Sequence, residues 1–236
     1  MSRLHLFLLA GQSNMAGRGP LPEGPPPEPD PNITVLTEDM TWAIARDPLH
    51  FDRPPGCAVG PGLSFARRVR EQRPDWSIGL VPTAMGGSPL EEWQPGEQLL
   101  VESLRRARHA LDSGVFEAVL WHQGEKDSRT MECARTYGDR LAKTIGAFRD
   151  GIGSPDLPFI AGEIGGFLAD CADPGFPCLD LVNAAIRELP ERVSNTAWVS
   201  AEGLTHKGDL VHLDTPSQIR FGCRYAEAFL KLFDEA

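Results

Sequence analysis

The chain has 236 residues, 41% of them hydrophobic, and a formal net charge of −10. That is enough apolar material to bury the core of one α/β domain, so a single domain over 1–236 is expected. The acidic balance, with no block of Lys or Arg to neutralise a run of phosphates, argues against nucleic acid as a partner, and no stretch reaches the length of a membrane span.

The opening MSRLHLFLLA carries an arginine, an apolar run and a small residue, as secretory signals do. The run is short, however, and feeds without a spacer into GQSNMAG, so it reads as a first strand over Leu4 to Leu9. Further apolar runs at Trp76 to Pro82, Phe116 to Trp121, Pro158 to Gly162 and Thr196 to Val199 bring the expected strands to five. Helical periodicity fills the intervals at Leu63 to Arg70, Glu97 to Leu111, Cys133 to Arg149 and Leu179 to Leu189. Thr215, Pro216 and Gln218 form a capping-box pattern that opens a last helix running to about Phe233. This alternation predicts a five-stranded parallel sheet flanked by helices, an α/β fold of doubly wound type. Residues 20–61 are rich in proline and poor in periodicity, and are read as an irregular surface excursion that could wall a pocket.

The five cysteines (Cys57, Cys133, Cys171, Cys178 and Cys223) are odd in number and scattered, so no disulfide framework is expected. A reducing, cytoplasmic compartment is the simplest expectation. Cys171 and Cys178 bracket a short proline-containing loop and leave one pairing open.

In an open parallel sheet, ligands bind outside the carboxyl ends of the strands. The segments expected there are Gly11-Gln12-Ser13-Asn14, Gly86-Gly87-Ser88 and His122-Gln123-Gly124-Glu125, joined by Asp209-Leu-Val-His212 just before the last helix. A serine hydroxyl needs an adjacent base to become a nucleophile, and the base needs an orienting group. Ser13, in a glycine-flanked turn after a strand, is the best-placed serine, although such a serine also commonly caps a strand-to-helix turn. Asp209 and His212, three residues apart, can share one side of a turn, with a plain surface pair as the alternative. His122 is the rival base. Acyl transfer also needs donors for an oxyanion, and the backbone N–H groups of Ser13 and Gly87 (or Gly86) and the Gln123 amide are candidates. Each taken alone has an ordinary structural explanation; their common rim favours the chemical one.

Read in order, GQSNMAGRG, AMGGSPLEEW, WHQGEKD and DLVHL resemble the sequence blocks of SGNH hydrolases, and more narrowly carbohydrate acetylesterases of the sialate O-acetylesterase and acetylxylan esterase type, carbohydrate esterase family 6. The blocks run from residue 11 to residue 212, so the resemblance has domain length. It implies a three-layer flavodoxin-like fold, Ser13 as nucleophile, His212 as base, Asp209 as its orienting acid, and oxyanion donors from Ser13, Gly87 and a third side chain. Many SGNH enzymes have an aspartate before the serine and an asparagine in the third block. This chain has Gln12 and Gln123, a departure the sialate-type subgroup shares.

Glu125 has two readings: a second orienting carboxylate, or a support that bonds Asn14 or nearby backbone and holds the nucleophile turn, which is preferred. Gln12, Asn14 and Gly86 are read as supporting residues. Of Trp42, Trp93 and Trp121, Trp93 is chosen as the residue to stack on a sugar. The expected partner is an acetylated sugar or oligosaccharide, cleaved without metal or cofactor, since no clustered His, Cys and carboxylate spacing suits a metal. A thioesterase or lipid esterase on the same scaffold, or a carbohydrate-binding module without chemistry, are the competing readings. Neither the particular sugar nor the oligomeric state is legible.

Overall fold

The structure is a computed structural model that describes residues 3–24, 28–172 and 175–234. The middle of the proline cluster (25–27) and part of the loop between Cys171 and Cys178 (173–174) lie outside the described residues.

A single sheet organises the chain. Its strands are β1 (Leu4–Gly11), β2 (Ile33–Leu36), β3 (Trp42–Ile44), β4 (Ile78–Pro82), β5 (Gly114–His122), β6 (Phe159–Gly162) and β7 (Thr196–Val199), in the order β3-β2-β4-β1-β5-β6-β7. All neighbours are parallel except β2 and β3. The five strands read from the sequence are all present, but the sheet has seven. The two additions come from the segment read as wholly irregular. Ile33–Leu36 is a four-residue β-prone run, three apolar residues and Thr34, that follows a proline-rich stretch, and β3 is too short to show a period. A Thr37 to Thr41 turn joins them, with Thr37 N–H donating to Thr41 O at 2.9 Å.

Strand β1 shows why the sheet is covered on both faces. Leu6, Leu8 and Ala10 enter one cluster, with Trp93, Trp121, Tyr137 and Phe148. Phe7 and Leu9 enter the other, with Phe65, Phe221 and Phe229. Successive side chains of a strand point to opposite faces, and here both faces are apolar, which identifies a buried parallel strand. Burying each such Leu or Phe contributes about 1.5–3 kcal/mol.

Helices α3 (Gln98–Leu111), α4 (Met131–Arg135), α5 (Tyr137–Ile152) and α6 (Leu179–Arg187) carry the first cluster; α1 (Ser13–Ala16), α2 (Pro61–Gln72) and α8 (Thr215–Asp234) carry the second. A short α7 (Leu189–Arg192) leads toward β7. The helix expected over Cys133 to Arg149 is thus two helices, broken at Thr136, where φ and ψ are −99° and 0°. The last helix is capped one residue earlier than read. Asp214 Oδ1 accepts the Ser217 N–H at 2.9 Å, while the Thr215 hydroxyl donates to Pro20 O at 2.5 Å and ties the helix start to the excursion.

The order of strands places the chemistry. From β1 the chain builds β2, β3 and β4 on one side and then crosses to build β5, β6 and β7 on the other, so β1 marks the switch point, with β4 and β5 beside it. The turns after β4, β1 and β5 lie side by side there. At Gly11 the φ is +127°, and a Cβ would run into the His122 carbonyl, so only glycine lets β1 end this close to β5.

Candidate active site

Gln12 accepts the N–H groups of Met15 and Ala16 through its carbonyl at 3.0 and 2.9 Å, closing the single helical turn of α1 directly onto the end of β1. Ser13 opens that turn. Its Oγ lies 3.1 Å from His212 Nε2, across 199 residues of sequence. The other ring nitrogen, Nδ1, lies 2.7 Å from Asp209 Oδ2. Asp209 Oδ1 accepts two backbone N–H groups, from His212 at 2.8 Å and Val211 at 3.0 Å. Burial pushes the Asp209 carboxyl up, but the backbone and ring N–H groups of His212 outweigh it and the net value falls to about 2. The loop that presents this pair is a tight one. Gly208 and Leu210 both have positive φ (112° and 58°), and His206 Nδ1 accepts the N–H of each at 3.0 and 3.2 Å.

Asn14 fastens the nucleophile turn to the His212 loop. Its amide nitrogen donates to Glu125 Oε1 at 2.7 Å and to Val211 O at 3.1 Å, and its oxygen accepts the Leu213 N–H at 3.0 Å. Glu125 therefore bonds Asn14, and His122 Nδ1 lies 3.8 Å from the same carboxylate oxygen. His122, the rival base, is 1% exposed, and its Nε2 donates to Glu163 O at 3.0 Å. It is held in the core and has no hydrogen bond to Ser13.

The turn after β4 faces Ser13. Gly87 has φ +79°, and among the described residues its N–H has no acceptor. Gly86 N–H, in contrast, donates to Asp52 Oδ2 at 2.8 Å. Asp52 comes from the excursion, and its Oδ2 also takes Arg18 Nη2 at 2.6 Å. Burial raises the Asp52 carboxyl, but hydrogen bonds from Arg18, Cys57 and Gly86 more than offset this, and the net shift is downward.

Two expectations are corrected here. Gln123 is fully buried, and its amide nitrogen donates to Ser88 O at 3.1 Å and Asp127 Oδ2 at 2.7 Å. Both amide hydrogens are thus committed, and Gln123 braces the Gly86-Gly87-Ser88 turn from behind instead of facing an oxyanion. Asp127 completes the brace, accepting Leu90 N–H at 2.8 Å and Arg140 at 2.7 Å. Trp93 is also fully buried; it packs edge-on against Trp121 at 5.2 Å and donates Nε1–H to Ser88 Oγ at 3.0 Å. Its ring has no face for a sugar, because the area that makes tryptophan a good platform is spent in the core.

Gln12, Ser13, Gly86, Gly87, Glu125 and His212 line a cleft of about 250 Å³, with Asp209 behind His212. The remaining wall was not foreseen: Arg18, Arg53, Lys126, Arg129, Phe176 and Val211. Arg129 lies over the Phe176 ring at 4.8 Å. Among the described residues, Arg53, Lys126 and Arg129 have no carboxylate within ion-pair distance. Arg18 and Lys126 sit inside the GQSNMAGRG and WHQGEKD blocks and were within reach of sequence reading, whereas Arg53 and Phe176 lie in loops without a local signal. The described residues hold no group of three or more His, Cys, Asp or Glu side chains arranged for a metal. Cys171 and Cys178 are both free thiols, so the open pairing is not made.

The fold is that of the SGNH hydrolases, and comparisons narrow the class. Residues 3–231 match the carbohydrate esterase family of sialic acid-specific acetylesterases. A probable carbohydrate esterase of Arabidopsis thaliana is 36% identical over 246 residues, covering 97% of this chain and 91% of that protein. Its crystal structure superposes with a TM-score of 0.87 at 34% identity, covering 97% and 98% of the two chains. NanS shares the fold at 18% identity (TM-score 0.78; 99% and 98% covered). So does a carbohydrate acetylesterase of Xanthomonas citri at 20% (TM-score 0.74), where 98% of this chain spans 57% of the larger protein. The chain belongs to the sialic acid-specific acetylesterase family of carbohydrate esterases.

Proposed function

We propose that this chain hydrolyses O-acetyl esters of carbohydrates through an acetyl-enzyme on Ser13. The observation that carries the reading is the continuous chain Ser13 Oγ, His212, Asp209, with contacts of 3.1 and 2.7 Å. Ser13 Oγ attacks the acetyl carbonyl carbon as His212 Nε2 takes its proton, and Asp209, still ionised, holds the imidazole and stabilises the imidazolium. The carbonyl oxygen becomes an oxyanion. Its donors are the N–H of Ser13, which as first helical residue has no intrahelical acceptor, the N–H of Gly87, and the Gln12 amide, which lines the cleft and has no acceptor among the described residues. Collapse expels the sugar oxygen, which takes the proton from His212. Water then attacks the acetyl carbonyl, giving one proton to His212; collapse breaks the bond to Ser13 Oγ, which takes that proton back from His212, and acetic acid leaves and ionises to acetate. Every step is assigned to the chain's own groups, so a chelator is expected to leave the rate unchanged.

The cleft also supports an acidic sugar as substrate. In a chain of net charge −10, three cations without carboxylate partners converge on one cleft, where they would lower the energy of a substrate carboxylate. The family to which the chain belongs points the same way. The thioesterase or lipid esterase reading is less favoured, because among the described residues Phe176 and Val211 are the only large apolar side chains in the cleft wall. The test is a substrate panel at equal concentration: O-acetylated sialic acid, acetylated xylose, and p-nitrophenyl esters of increasing chain length. The account expects the acetylated acidic sugar to give the highest kcat/KM and longer acyl chains to be poor; preference for a long acyl chain would overturn it.

A further inference from the structure

We infer that Asp52 is a positioning residue for catalysis: with Arg18 it clamps the Gly86-Gly87 peptide so that the Gly87 N–H stays aimed at the oxyanion. This rests on the serine esterase reading above and adds to it a residue from the excursion.

The geometry is specific. Asp52 Oδ2 accepts two donors, Gly86 N–H at 2.8 Å and Arg18 Nη2 at 2.6 Å. Oδ1 takes the Cys57 thiol at 3.1 Å and Arg18 Nη1 at 3.4 Å. Arg18 Nη1 also donates to Gly17 O at 2.8 Å, the carbonyl immediately after the nucleophile turn. A path of hydrogen bonds thus runs from the nucleophile turn through Arg18 and Asp52 to the oxyanion turn. The carboxylate side chain is 2% exposed and the guanidinium side chain 9%, so little water competes for these bonds.

The packing leaves no slack. A Cβ at Gly86 would stand 2.6 Å from Arg18 Nη2, 2.9 Å from Asp52 Oδ2 and 3.7 Å from Ser13 Cβ. The clamp and the nucleophile therefore close around the same glycine. On the other side of the turn, Gln123 holds Ser88 O at 3.1 Å. Gly87 has a left-handed φ of +79° and no side chain to pack, so the peptides on either side must fix it. An oxyanion donor is effective only when held in advance at the place where charge develops, because then it need not reorganise during the reaction. Asp52 performs that holding while touching neither Ser13 nor the substrate carbonyl.

The test compares Asp52→Ala, Asp52→Asn and the charge-neutral double variant Arg18→Met/Asp52→Leu with wild type. The measurements are kcat and KM for p-nitrophenyl acetate, the rate of Ser13 modification by a serine-directed phosphonate, and hydrogen exchange of the Gly86 amide. For Asp52→Ala the inference expects kcat and the phosphonylation rate to fall together by about 10- to 100-fold. KM should change by less than about threefold, and Gly86 exchange should quicken at least about tenfold, since the amide loses its acceptor. Asp52→Asn, whose Oδ1 can still accept the Gly86 N–H, should recover much of the loss. If the lone Arg18 charge unfolds Asp52→Ala, the double variant must show the same kcat loss in a folded protein. A folded Asp52→Ala or Arg18→Met/Asp52→Leu protein, in which the Gly86 N–H has lost its acceptor, that keeps wild-type kcat or wild-type Gly86 exchange overturns the inference. Failure of the parent reading looks different: Ser13→Ala would then hydrolyse as wild type does, and the exchange comparison would still decide whether Asp52 clamps the turn.

Discussion

Asn14 donates to Glu125 at 2.7 Å and, through the same amide, reaches the backbone on both sides of His212, at Val211 O and Leu213 N–H. The nucleophile turn, the end of β5 and the histidine loop are thus bound through one side chain next to Ser13. Asn14→Ala should leave two backbone groups and Glu125 without partners, lowering stability by about 1–3 kcal/mol and kcat by at least about tenfold. Asn14→Asp, which keeps an acceptor for Leu213 but sets a carboxylate against Glu125, should be no better. Thermal unfolding and ester turnover on both variants check this.

Asp209 stays ionised down to about pH 2, so it does not supply the acid limb of a rate profile above pH 4. Its folded value lies below its unfolded one, which means that the stability it contributes is present above pH 3.8 and is lost as pH falls through about 2. Asp209→Asn should retain the fold at pH 7 yet lose about 10²- to 10⁴-fold in kcat, because an amide can favour the wrong imidazole tautomer. Steady-state rates between pH 5 and 9 measure it; a variant within twofold of wild type would require another orienting group.

Asp47 behaves in the opposite sense. Burial raises its carboxyl to about 7 against the lowering effects of the Gly60 N–H and Arg67, and Oδ1 is buried without a partner among the described residues. A folded value above the unfolded one makes stability fall as pH rises from about 4 to about 7. Asp47→Asn should remove that slope and raise the Tm at pH 8, with no gain at pH 4. Unfolding curves at the two pH values are the measurement.

Two glycines should respond in opposite directions to alanine. Gly86→Ala drives a methyl into Arg18 and Asp52 and should cost about 10²-fold in kcat. Gly146, inside α5, meets nothing within 4 Å of an added Cβ, and Gly146→Ala should stabilise the protein by about 0.5–1 kcal/mol with turnover unchanged.

The sheet was legible where a strand is buried on both faces, because Leu4 to Leu9 and Phe116 to Trp121 read as apolar runs, each interrupted by a single polar residue, His5 and Glu117, which pair with each other at 2.8 Å. It was illegible at β3, whose three residues are half-buried or exposed at a sheet edge and need only a partner, not a pattern. The Ser13, Asp209 and His212 positions were legible because each follows a strand end or precedes a readable helix start. Gln123 and Trp93 misled for one physical reason: both lie next to the rim in sequence, but burial turns their side chains inward, where Asp127 and Ser88 accept their N–H groups. Asp52 was invisible, since its meaning arises only when the excursion folds back 34 residues onto Gly86.

The most direct test of the central claim is hydrolysis of p-nitrophenyl acetate by wild type and Ser13→Ala, with intact-mass analysis after a serine-directed phosphonate. The account predicts turnover by wild type that falls at least about 10³-fold in the variant, and one phosphonyl adduct on wild type only. Equal turnover by the two proteins, or a wild type that remains unlabelled, would contradict a nucleophilic Ser13.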